Sequence, residues 1–117
     1  MICVIQRVNN ATVFADGVLS GEIGKGLYLL LGVAHADTEA DATALAEKIS
    51  KLRIFTDAED KMNLSVNDVD GEVMVVSNFT LNANYRKGNR PDYFESAPPD
   101  LADKLYEFFK SEMAKRV

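Results

Sequence analysis

Val73-Met74-Val75-Val76-Ser77-Asn78-Phe79-Thr80-Leu81 is the stretch whose reading decides the fold. Five apolar or small residues, 73–77, run into a Ser-Asn-Phe-Thr tetrad. An unbroken run rich in β-branched residues reads as a strand buried on both faces. Three hydrogen-bonding side chains at the end of a buried strand need something to receive them. Two readings follow. Either Ser77, Asn78 and Thr80 satisfy backbone groups where the strand exits, or the strand end carries a site on rigid scaffold.

Working outward, the 117 residues are 47% hydrophobic and 26% charged, which fits one globular domain over residues 1–117. No run of about 18 apolar residues is present, so no membrane span is expected. Met-Ile-Cys-Val-Ile-Gln-Arg at the start reads as a strand and lacks the pattern of a signal peptide. Cys3 is the single cysteine, which excludes an internal disulfide and suits a reducing, cytoplasmic setting. With one histidine, His35, and no Cys/His cluster, a structural zinc site within one chain is not expected. A Ser-His-Asp triad would have to use His35, whose neighbours Ala34, Ala36 and Asp37 read as a loop after a strand. The acids Asp57, Glu59 and Asp60 lack the glycine and terminal glutamate of a calcium loop. The net charge of −5 argues against a broad nucleic-acid surface. Arg86, Lys87 and Arg90 nonetheless cluster within five positions. They read either as a solvated loop or as a local basic loop able to hold a few phosphates.

Residues 2–8 read as a strand, Asn9-Asn10 as a turn and 11–15 as the returning strand. Asp16-Gly17 is a strong hairpin signal before a short strand at 18–23. Residues 27–34 form a second long apolar run, again predicted to be buried on both faces. Gly24-Lys25-Gly26 before it is punctuation, because a phosphate loop would need Gly-Lys-Ser/Thr and a following helix. Ala42, Leu45, Ala46, Ile49 and Leu52 predict an amphipathic helix over about 38–52, capped at Asp37-Thr38. Short extended segments follow at 53–56 and 61–66. Residues 82–99 are irregular and hold all three prolines. Pro99 opens a final helix with Leu101, Leu105, Phe108, Phe109 and Met113 on its buried face. Five or six strands and two helices in this order predict an α+β fold.

These residues resemble the D-aminoacyl-tRNA deacylases, also called D-tyrosyl-tRNA deacylases. The resemblance rests on Ile5-Gln6-Arg7-Val8, Gly21-Glu22-Ile23-Gly24, Leu30-Leu31-Gly32-Val33 and Leu52-Arg53-Ile54-Phe55. It continues through Lys61 to Val66, Val75 to Leu81, Arg86-Lys87-Gly88 and Arg90-Pro91. It implies a homodimeric, β-barrel-like α+β fold without a metal or organic cofactor. It also implies hydrolysis of the ester joining a D-amino acid, or glycine, to the tRNA 3′ end. The family's Ser-Gln-Phe-Thr signature falls on Ser77 to Thr80, with Asn78 in place of Gln. Asn shortens the reach by one methylene, about 1.5 Å. The family's second signature, Asn-x-Gly-Pro-Val-Thr, has no counterpart, since none of Pro91, Pro98 and Pro99 follows a glycine. The sequence is therefore expected to be a short form lacking the last two strands and their chiral gate.

On this resemblance Ser77, Asn78 and Thr80 are the catalytic candidates. Phe79 either packs on the adenine or belongs to the core. Arg86, Lys87 and Arg90, and more weakly Arg7, would hold phosphates of the aminoacyl-tRNA. The competing reading is a non-catalytic homologue that keeps the fold and binds a tRNA end or a nucleotide, or a truncated inactive product.

Overall fold

The computed structural model describes residues 1–82 and 97–117. Its elements in chain order are β1 (Ile2–Val8), β2 (Ala11–Ala15), β3 (Val18–Ile23), β4 (Gly26–Gly32) and α1 (Glu39–Lys51). Then come β5 (Phe55–Thr56), β6 (Met62–Leu64), β7 (Glu72–Ser77), a 3-10 turn (Phe79–Asn82) and α2 (Pro99–Ala114). Leu27, Leu29 and Leu31 alternate along β4 and are at most 1% exposed. A strand so buried needs a neighbour on each edge and a layer over its face. β1 supplies one edge, antiparallel, with Ile5 opposite Leu29. β7 supplies the other, parallel, with Val75 opposite Leu29.

The middle of the sheet is thus β4, as its apolar run predicts. The run at 73–77, expected to be buried on both faces, is covered on both faces only in part and is the edge strand of this sheet among the described residues. Within it only Met74 is fully buried. Val73 and Val75 pack on the helix side with the core, and Met74 lies against Gly21 of β3 on the opposite face. The edge is not left bare throughout. Glu72 and Asn78 donate their N–H groups toward β4, so the odd-numbered residues between them turn their backbone groups outward. The Tyr106 hydroxyl of α2 donates to the Val75 carbonyl at 2.8 Å and occupies part of that edge.

The early strands pair differently from expectation. β2 does not return along β1; it pairs with β3, Ala11 opposite Ile23. Asp16 and Gly17 have φ of 51° and 79°, the backbone that a two-residue hairpin turn demands. Asn9-Asn10 only redirects the chain. With β5 and β6 forming a third small sheet, the described residues make an α+β fold with no closed barrel.

The helices form the layer over β4. In α1, Thr38 donates its N–H to the Asp41 carboxylate at 2.8 Å, one half of a capping box. Ala42, Ala46 and Ile49 of α1 share one core with Leu105, Phe109 and Met113 of α2, while Leu101 and Phe108 are only half-buried. A polar clasp closes the outer side of this pair. Glu112 accepts from the Thr43 hydroxyl at 3.0 Å and from Arg116 at 3.1 Å.

Those two partners, Arg116 first and Thr43 second, hold the Glu112 carboxyl below its ordinary pKa. The clasp therefore stabilises the fold fully above the unfolded carboxylate's pKa and is lost as pH falls through the lower folded value. Thermal unfolding followed from pH 7 to pH 3 should show a smaller acid-side fall in Tm for Glu112→Gln than for the wild type. Identical acid-side slopes would remove the clasp from the pH response.

Candidate functional site

β7 ends at Ser77, and the chain turns at once into the 3-10 turn. Asn78 is the pivot. Its backbone N–H donates to the Leu31 carbonyl at 2.8 Å, carrying the β4–β7 ladder one residue past the strand. Its side-chain Oδ1 accepts from the Thr80 N–H at 3.0 Å and from the Thr80 hydroxyl. Its carbonyl accepts from the Leu81 N–H at 3.4 Å. An Asn that bonds the backbone two residues ahead forms a turn of its own. The strand-exit reading therefore holds for Asn78 and Thr80. It leaves the Asn78 amide Nδ2 as a donor, because only the oxygen is used in the turn.

Around this pivot Ser77 and Thr80 are exposed. Phe79 is 60% exposed and so does not belong to the core. The tetrad thus presents two hydroxyls, one carboxamide and one aromatic face at the end of a rigid strand. The described chain on either side of residues 83–96 meets here as well. The 3-10 turn follows Ser77, and the Ala97 N–H donates to the Val33 carbonyl at 2.9 Å. Arg86, Lys87 and Arg90 lie outside the described residues.

Arg7 is not brought to the tetrad within the chain. The register aligns Arg7 with Leu27 and Val73 across the sheet, and Cys3 with Leu31 and Ser77. At about 3.3 Å per residue, those two rows lie about 13 Å apart. Arg7 instead donates Nη1 to the Ile54 carbonyl at 2.8 Å. It lines a polar cavity with Asn9, Lys25 and Thr56. Lys25 is the residue that sequence reasoning passed over, because Gly24-Lys25-Gly26 carries no motif.

Among the described residues, no group with a shifted pKa belongs to the tetrad. Burial pushes the Cys3 thiol up to about 11, so it stays protonated at neutral pH. Hydrogen bonds hold the carboxyls of Asp41, Glu47, Asp57, Asp68 and Glu112 below their ordinary values, and none of them belongs to the tetrad. Among the described residues there is no cluster of three or more His, Cys, Asp or Glu side chains able to hold a metal ion. No helix among them is long and apolar enough to cross a membrane.

This arrangement has relatives. The family model of the D-Tyr-tRNA(Tyr) deacylases matches residues 4–117. The chain belongs to that deacylase family. Within it, the chain is 52% identical over 116 residues to a D-aminoacyl-tRNA deacylase of Bacillus cereus, covering 99% of this chain and 80% of the relative. It is 54% identical over 114 residues to a D-aminoacyl-tRNA deacylase of Akkermansia muciniphila, covering 97% and 76%. Among solved structures, a c-Myc DNA unwinding element binding protein superposes with a TM-score of 0.90 at 36% identity, covering 97% of this chain and 76% of that one. A probable eukaryotic D-amino acid tRNA deacylase superposes at 0.82 with 15% identity, covering 97% and 67%, and that likeness concerns the fold.

The tetrad is thus held by a turn that Asn78 itself builds. Replacing Asn78 with Ala removes an acceptor of two hydrogen bonds and should lower stability by about 1 kcal/mol, measured by urea unfolding. Asn78→Asp keeps the oxygen and should recover most of that loss. Equal stability of Asn78→Ala and wild type would show that the turn does not need the side chain.

Proposed function

We propose that the chain hydrolyses the ester bond of D-aminoacyl-tRNA, and of glycyl-tRNA mischarged on tRNA-Ala, releasing free amino acid and tRNA. The observation that carries this reading is the Ser77–Thr80 tetrad, standing at the strand end in a chain of the deacylase family. Water attacks the ester carbonyl carbon, negative charge develops on the carbonyl oxygen, and the bond to the ribose 3′-oxygen breaks as that oxygen takes up a proton. Donors that meet the developing charge lower the barrier. Asn78 Nδ2 and the Ser77 hydroxyl supply them, and the Thr80 hydroxyl, which donates to Asn78 Oδ1, holds that carboxamide in place. The substrate's 2′-hydroxyl assists the proton movement, which fits a tetrad with no titrating base. Phe79, exposed beside them, offers its face to the terminal adenine.

Phosphates near the acceptor end fall to Arg86, Lys87 and Arg90. The working unit is a homodimer in the cytoplasm. Support for a second copy comes from exposed apolar side chains on β1 (Ile2, Val4) and on the β2–β3 hairpin (Phe14, Val18, Leu19). Sedimentation should give twice the chain mass of 12.9 kDa. A single species at the chain mass at micromolar concentration would contradict the dimer.

The catalytic reading is tested by single-turnover hydrolysis of D-tyrosyl-tRNA. Asn78→Asp keeps the turn but replaces the amide donor with a negative charge, so its rate should fall by about 10²-fold or more. A folded Asn78→Asp protein with the wild-type rate would remove Asn78 from the chemistry.

A further inference from the structure

Arg7 and Lys25 come from different elements, the end of β1 and the turn between β3 and β4, yet they line one cavity of about 350 Å³. Among the described residues, Val8, Asn9, Phe55 and Thr56 also line it, and none of the lining residues is a carboxylate. In a chain of net charge −5 such a site is locally opposite in sign to the whole. Neither cation is in an ion pair among the described residues. The nearby Glu72 is engaged elsewhere. Its carboxylate accepts from the Gly24 N–H at 3.0 Å, and its own N–H donates to the Lys25 carbonyl at 2.9 Å. Both cations are held in place. Arg7 Nη1 is fixed on the Ile54 carbonyl at 2.8 Å, and Lys25 Nζ sits 5.9 Å from the centre of the Phe55 ring. Arg7, Lys25, Asn9 and Thr56 therefore line a space with no carboxylate among the described residues around it.

We propose that this cavity is a phosphate site, filled by a backbone phosphate of RNA held between Arg7 and Lys25. The proposal rests on the reading that the substrate is an aminoacylated RNA. It places a contact about 13 Å from the tetrad along the sheet, at about 3.3 Å per residue. The chemistry explains the residue types. A guanidinium grips two oxyanion edges in a fixed fork, while an ammonium adds a point charge and the neutral donors fix orientation. A free phosphate or mononucleotide presents the same oxyanion, so the test has to separate the two sources.

Binding of uncharged tRNA would be measured against salt concentration for the wild type, Lys25→Gln, Arg7→Gln and Lys48→Gln. Lys48 is exposed on α1, away from the cavity, and serves as the charge control. Each lost phosphate contact should reduce the slope of log K against log salt by about 0.7 to 0.9. That reduction is expected for Lys25→Gln and Arg7→Gln and not for Lys48→Gln. Lys25 lies in an exposed turn, so its variant tests the site even if Arg7→Gln unfolds. In parallel, inorganic phosphate would be titrated into the wild-type protein with backbone amide shifts recorded at residues 7–9, 25 and 55–56. Unchanged slopes with saturable shifts that vanish in Lys25→Gln would keep the phosphate site and assign it to a free phosphate. Unchanged slopes with no shifts, or an equal slope change in Lys48→Gln, would overturn the proposal. Hydrolysis of D-tyrosyl-tRNA by the same wild-type sample separates the two claims. Hydrolysis with unchanged slopes and no shifts sinks this site alone, whereas changed slopes without hydrolysis sink the deacylase reading alone.

Discussion

The close approach of β7 to Gly26 is the constraint from which the rest of the structure follows. A side chain at position 26 would overlap the backbone of Glu72, so only glycine lets the two strands meet there. That contact starts the parallel register at Gly26 opposite Glu72 and carries it to Leu31 opposite Ser77. The Asn78 N–H then falls on the Leu31 carbonyl, and the tetrad turns where the ladder ends. A slip of one residue would reverse every side chain of β7, taking Val73 and Val75 from the core face. The position of the site is therefore a consequence of sheet pairing, not of the tetrad's own contacts.

The helical layer serves the same register. Phe109 and Leu105 of α2 lie in the core that covers β4, and Tyr106, on the same helix, bonds the outward carbonyl of Val75. One helix thus fixes both the face and the edge of the strand that carries the tetrad. Removing the outer clasp of Glu112, Thr43 and Arg116 would loosen α2 against α1 before it disturbed the sheet. Stability and site geometry are coupled through this helix.

Much of this was legible in the residues, and the reason is local physics. Periodicity located α1 and α2, and Asp16-Gly17 located the hairpin, because each signal lies within a few positions of sequence. Pairing partners were not legible. Whether β1 takes β2 or β4 depends on contacts more than twenty positions apart, such as Ile5 with Leu29. The apolar run at 73–77 showed that both faces of its strand are covered, by a helix on one and a hairpin on the other, but not that the strand lies at the edge of its sheet. The tetrad stood out as polar residues ending an apolar run, and the family resemblance gave it a role. Lys25 did not stand out, because nothing within its own turn shows that Arg7 will lie across a cavity from it.

Among the described residues the tetrad has donors and an aromatic face but no titratable side chain, which suits an ester whose own ribose hydroxyl can assist its hydrolysis. The most direct test is deacylation of D-tyrosyl-tRNA and L-tyrosyl-tRNA by the purified chain, side by side and against buffer alone. The account predicts that the D ester is cleaved well above its spontaneous rate, with the L ester showing how far the pocket discriminates without the second signature. A D ester that decays no faster than in buffer, with the protein folded, would contradict it.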